Sequence, residues 1–257
     1  MSYFERVTES TFRATDRVSG AWRTDEQHIA PILGLLVHLI ETDHHDRRDE
    51  ALTIGRLSYD IFGIIPVEAV DVDIEVLRPG RTIELVQATV THGGRSVVVL
   101  RAWFMQTQDT AALAGSDLPA IPPRQEMVPW DPTQDWPGGF IRTVEVRRQQ
   151  SRPGRAAFWV RTAVPLLDSE PASTLARAVG VFDVANGMTP RVSPREVAFP
   201  NLDLTAHLFR RPQGEWVGFD TTVTFGPDGV GLTSTTLHDD EGPFGTMNQI
   251  LTIRPIG

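Results

Sequence analysis

One carboxylate stands alone in an apolar run. Asp183 is the only charge in Ala178-Val179-Gly180-Val181-Phe182-Asp183-Val184-Ala185. In a helix it lies four residues past Val179 and shares that residue's core-facing side. Burial disfavours the ionised form, so the pKa of such a carboxyl rises, and the group needs partners or a task. A carboxylate of raised pKa in a cleft suits a general base. A buried carboxylate that caps backbone amides or pairs with an arginine fits the same place. Gln249 is the second candidate, because Met247, Gln249, Leu251 and Ile253 share one face of the last strand by alternation. A glutamine among apolar neighbours is a buried amide that must be hydrogen-bonded, as a structural tie or as part of a site. Asn201 follows Pro200 at the mouth of a strand, a usual place for a turn-forming asparagine. Asp203 is a rival carboxylate, but Asp71 stands as its counterpart in the first half and suggests a structural use for both.

Other chemistries lack their residues. There is no G-x-S-x-G elbow, H-E-x-x-H, P-loop or G-x-G-x-x-G. Asp43-His44-His45-Asp46 has metal-ligating types, but adjacent histidines on a helix point about 100° apart, and cations suit a helix C-terminus. No metal and no cofactor is expected. The 257 residues include no cysteine, which removes disulfides, thiolate sites and cysteine nucleophiles. They include no lysine either, so a Schiff base has no residue to use. A net charge of −9 argues against a nucleic-acid partner. The amino-terminal MSYFERVTES has no apolar signal region, and Ile29 to Ile40 is too short to span a bilayer. The cytoplasm, without membrane insertion, is the default location.

The elements that must position these residues come in two sets. Residues 70–79 (VDVDIEVLRP) and 202–212 (LDLTAHLFRRP) each precede a strand-like stretch and a Gly-rich turn. Asp71 matches Asp203, Pro79 matches Pro212 and Val90 matches Val223, which reads as a duplication built of antiparallel hairpins. One helix precedes each β block. Pro31 to His45 carries Ile32, Leu35, Leu36, Leu39 and Ile40 on one stripe, with Pro31 in the first turn. Ser169 and Pro171 open a second helix running to about Gly187, with Leu175, Val179 and Phe182 as its stripe. The first-half position equivalent to Asp183 is Val37, an asymmetry that a purely structural carboxylate would not require. Residues 107–138, rich in Pro, Asp and Gly, read as a linker between an N-terminal unit of residues 1–106 and a C-terminal unit of residues 139–257. The fold class is α+β, with one helix per half against an antiparallel sheet.

The stretch VDVDIEVLRPGRTIELVQATVTHGGRSVVVLRAWFM resembles the first hotdog of the TesB-like acyl-CoA thioesterase family. AAFWVRTAVPLLDSEPASTLARAVGVFDVANGM and the closing GTMNQILTIRP are similar to that family's second hotdog. The resemblance implies a double hotdog with its sheets side by side, hydrolysis of an acyl-CoA or other acyl thioester, and a homo-oligomer. Sheet edges that need covering also argue for association. It further implies that Asp183, Gln249 and the residue at position 201 hold the attacking water. The family's threonine is replaced by Asn201, which differs in reach and donor geometry. A second departure lies before the first helix, where relatives often carry His-Gly-Gly and this chain reads Gln27-His28-Ile29-Ala30-Pro31. Leu35, Leu36, Phe182 and Met188 are candidates to line an acyl tunnel, and Arg210-Arg211 or Arg147-Arg148 to meet CoA phosphates. Two other readings stay open. One is a non-catalytic acyl-CoA or hydrophobic-ligand binding protein; the other is a hotdog dehydratase or hydratase, which would want a histidine that the residues after Asp183 do not supply.

Overall fold

The structure, a computed structural model, describes residues 1–20 and 22–256. The first half contains strands β1 (Phe4–Arg6) and β2 (Thr11–Ala14), helix α1 (Ile29–Arg47), then β3 (Thr53–Ile61), β4 (Ala69–Arg78), β5 (Ile83–His92) and β6 (Arg95–Met105). The second contains β7 (Val128–Trp130), β8 (Val144–Arg152), β9 (Arg155–Thr162), helix α2 (Thr174–Val179), β10 (Val197–Ala198), β11 (Asp203–Leu208), β12 (Val217–Phe225), β13 (Val230–Asp239), β14 (Gly242–Thr252) and β15 (Arg254–Pro255).

Among the described residues, thirteen strands pair antiparallel in one sheet ordered β1-β2-β4-β5-β6-β3-β11-β14-β13-β12-β9-β8-β7. The halves join at its centre, where β3 and β11 pair and Ser58 meets Thr205 at 3.1 Å. This is the side-by-side double hotdog expected from the sequence. Both edge strands, β1 and β7, are only three residues long, and β7 carries Pro129. Short edges with a proline offer little to an additional strand.

The strand order corrects the pairing of the repeats. It places β11 opposite β3, and β12 opposite β4, in the two halves. Asp203 is therefore not the counterpart of Asp71, nor Val223 of Val90. The hairpins β5–β6 and β13–β14 share an irregularity at the same step, Val90/Thr91 in one and Leu237/His238 in the other. Counting from it matches Val86 with Thr233 and Ala102 with Gln249. Alternation of apolar and polar residues repeats every two positions, so it fits several registers equally well.

Helix α1 begins two residues before Pro31, capped by His28, whose Nδ1 accepts from the Ala30 amide at 3.1 Å. Every residue from Ala30 to Ile40 is buried, not a single stripe, because the sheet and α2 enclose the helix. The second helix is shorter than expected and stops at Val179, after which a single 3-10 turn covers Phe182–Val184. Its end lies at a contact with α1. A Cβ at Gly34 would fall 2.8 Å from Gly180 Cα, so the backbones touch at this pair, and helical geometry is left at the next residue, Val181, with φ −125°. Residues 107–138 run over the second half and are pinned by Trp159, whose indole donates to Pro122 O at 2.9 Å, and by buried Trp136.

Candidate active site

Asp183 sits on the 3-10 turn after α2 and is buried. Its Oδ1 accepts two hydrogen bonds, from Asn201 Nδ2 at 2.8 Å and from Gln249 Nε2 at 3.0 Å. The structure thus brings together all three residues singled out in the sequence. Burial pushes the Asp183 carboxyl up to about 7, with the two amide donors working in the opposite direction. Oδ2 has no hydrogen-bond partner among the described residues, and the residue lines a cavity of about 420 Å³.

Each partner is placed by its strand. Gln249 is on the inward face of β14 with Met247 and Leu251. Asn201 precedes β11, and its Nδ2 also donates to Asp203 O at 3.1 Å. With both amide hydrogens engaged, Asn201 presents Oδ1 as an acceptor beside the cavity. Asp203 takes the structural use, accepting the Ile250 amide at 2.6 Å.

Sequence reasoning missed the role of His28. Its Nδ1 lies 3.9 Å from Asp183 Oδ2, brought across from the first half by the start of α1. Burial drives the imidazole down to about 3, so it is neutral, and because Nδ1 accepts the Ala30 amide the ring proton resides on Nε2. The histidine that the residues after Asp183 do not supply is thus approached from the other half of the chain. The signal lay in His28 standing just before a Pro-containing helix start. Pro31 has no N–H and Ala30's is capped, so the Ile29 amide is the unpaired donor of the first turn among the described residues.

The cavity lies at the seam of the two halves, between His28 and Ile29, the 61–65 loop, Trp136, Met188 and the 200–202 segment. Of the four tunnel candidates, only Met188 lines it. Leu35 and Leu36 on the enclosed part of α1, and Phe182 on the turn after α2, are buried core and do not line it. The proposed arginines are engaged elsewhere: Arg210 with Asp239 at 2.5 and 2.6 Å, Arg211 with Glu41, Arg147 on Met127 O, and Arg148 over the Trp130 ring. His44 binds Glu84 through Nδ1 at 3.0 Å and the Leu52 amide through Nε2, so both ring nitrogens are occupied. No group of three or more His, Cys, Asp or Glu side chains placed to hold a metal occurs among the described residues, and no described helix is long and apolar enough to cross a membrane.

Comparison with solved structures places the fold. The chain superposes on a candidate thioesterase from Novosphingobium aromaticivorans with a TM-score of 0.75 at 17% identity, covering 98% of both chains. A hot dog fold protein from Alicyclobacillus acidocaldarius gives 0.73 at 12%, covering 98% of this chain and 96% of that one. Acyl-CoA thioesterase II TesB2 from Mycobacterium marinum gives 0.69 at 16%, covering 99% and 96%. At these identities the likeness establishes fold alone. A comparison with curated proteins finds no match. Family models decide the rest: residues 18–105 match the acyl-CoA thioesterase N-terminal domain and residues 118–253 its C-terminal domain. With both domains present in order on a double-hotdog frame, the chain belongs to the acyl-CoA thioesterase family and is a thioester hydrolase.

Proposed function

We propose that the chain hydrolyses acyl-CoA thioesters with Asp183 as general base for a water attacking the carbonyl carbon. The observation that carries this reading is the divided use of the carboxylate: Oδ1 is fixed by two amides while Oδ2 is left toward the cavity. The water donates one hydrogen to Oδ2 and the other to Asn201 Oδ1, which aims its lone pair at the carbonyl. As the C–O bond forms, the proton passes to Asp183, and the Ile29 amide at the head of α1 meets the oxyanion. Collapse breaks the C–S bond, and the carboxylic acid returns its proton to the leaving thiolate. Free acid and thiol are the products. The base must be ionised, so turnover rises with pH through about 7.

Release of free thiol across acyl-CoAs of increasing length tests the reading, and the absence of cysteine keeps a thiol reagent free of background. Binding without release at any length would refute it. Hydration of an enoyl-CoA, monitored in parallel, tests the hydratase alternative that His28 keeps in view. That alternative needs a histidine that takes up and gives back a proton, whereas burial holds His28 neutral and its Nδ1, the nitrogen nearer Asp183, serves as a helix cap.

Arg23 and Arg254 are the guanidinium groups lining the cavity. Arg23 is paired with Asp25 and Glu26, and Arg254 has no ion-pair partner among the described residues. This supports Arg254 as the contact for a CoA phosphate. Arg254→Gln should raise KM for acyl-CoA by roughly tenfold, a charge-assisted contact being worth about 1.5 kcal/mol. KM for the matching N-acetylcysteamine thioester, which lacks phosphates, should stay unchanged. Equal rises with both substrates would remove Arg254 from that role.

A further inference from the structure

Thr233 and Gln249 face each other directly across β13 and β14, and both are fully buried. Each keeps one oxygen without a partner, Thr233 Oγ1 and Gln249 Oε1. Directly opposed residues of an antiparallel pair hold their Cβ atoms about 4.5–5.5 Å apart, so the hydroxyl is within side-chain reach of the amide. The neighbour of Thr233 on its other side is Val223, which is apolar, and the next inward hydroxyl, Thr235, is taken by Thr221 at 3.0 Å. The first half fills the matching register with Val86 opposite Ala102, both fully buried. Packing there needs neither a hydroxyl nor an amide, and an unpaired hydroxyl is costly to bury where valine would fit.

We propose that Thr233 is a positioning residue, its hydroxyl donating to Gln249 Oε1 through one bridging water and holding Nε2 toward Asp183. The inference rests on Asp183 being the base. An ionised carboxylate selects the NH₂ face of an amide by itself, whereas protonation weakens Oδ1 as an acceptor, and a proton placed on Oδ1 would select the amide's oxygen face. Because Asp183 titrates near neutrality, the two amide faces compete in the working range. A donor on Oε1 tips that competition toward the ionised base. The charged and titratable groups around Asp183 leave this task to the amide. His28 of α1 is neutral, Asp203 of β11 is turned to the Ile250 amide, and Arg23, Glu26 and Arg254 line the cavity without bonding to Asp183.

The test compares Thr233→Val with Thr233→Ser. The Asp183 titration is followed by carbon-13 NMR on aspartate-labelled protein, assigned by its loss in Asp183→Asn, and kcat and KM are measured against pH. Thr233→Val should move the titration and the acid limb of kcat to higher pH. On the acid limb, below the titration, kcat should fall roughly fivefold, equivalent to one net hydrogen bond of about 1 kcal/mol, with KM unchanged. Its melting temperature should not fall, since valine suits the buried strand. Thr233→Ser should restore both curves. A Thr233→Val titration that overlays the parent's, or a serine variant that behaves like valine, overturns the proposal. Full turnover in Asp183→Asn would instead strike the base assignment, and the tie to Gln249 would still be judged by the titration.

Discussion

Asp183→Asn is expected to lower kcat by roughly 10²–10⁴-fold, the contribution of a positioned general base. Asparagine has the same shape and can accept from both Asn201 and Gln249, so the pocket keeps its geometry and KM changes little. Loss of turnover is then attributable to the missing proton acceptor on the cavity side. The same variant gains stability in a defined pH window. The folded-state carboxyl is raised to about 7 by burial, against about 4 in an unfolded chain. Between those values the folded protein holds a proton that the unfolded chain has released, so parental stability declines as pH rises from about 4 to 7 and is flat above. The whole decline amounts to at most about 4 kcal/mol. Asparagine has no such dependence, so the variant should melt higher than the parent at pH 8, by an increment that closes toward pH 4. An inactive variant with parental pH-dependent stability would mean that Asp183 is ionised without penalty in the fold, whereas full turnover in the variant would mean that the base lies elsewhere.

The second large effect is structural. A Cβ at Gly34 would meet Ala176 O at 2.7 Å, Gly180 Cα at 2.8 Å and Gly180 N at 2.9 Å. All three are backbone atoms, so no side chain can swing aside. Gly34→Ala must push α2 away from α1, at roughly 1–3 kcal/mol for overpacking a tight contact. The displaced segment carries Asp183 three residues beyond Gly180, so turnover should fall along with the melting temperature. Gly115→Ala, where a new Cβ meets nothing within 4 Å, is the matched control and should change neither. If Gly34→Ala keeps parental stability and turnover, the helices are not held by this contact.

The site residues were legible because each breaks its surroundings: one carboxylate in an apolar helix, one glutamine in an apolar strand face. Burial makes such exceptions costly, and cost is visible in a pattern of residue types. The fold was legible from its repeated helix-then-hairpins order. Register was not: Asp71 matches Asp203 in pattern while β11 belongs with β3, since alternation is indifferent to a shift by a whole strand. The length of α2 was missed because the apolar pattern continues past Gly180, while the close approach of Gly34 is a tertiary fact. His28 was hidden for a related reason. Its proximity to Asp183 crosses 155 residues of chain and depends on how the halves meet at the seam.

The seam also fixes a count. In the first half the strand position matching Gln249 is Ala102, and the helix position read from the sequence as matching Asp183 is Val37, both fully buried. The near-symmetric frame has two places where a water could be held, and one of them is solid. On the mechanism proposed above, each chain has a single turnover centre, and a non-hydrolysable acyl-CoA thioether should saturate at one per chain in calorimetry. On the same mechanism, two sites within a chain cannot alternate, and any cooperativity would have to come from contacts between chains.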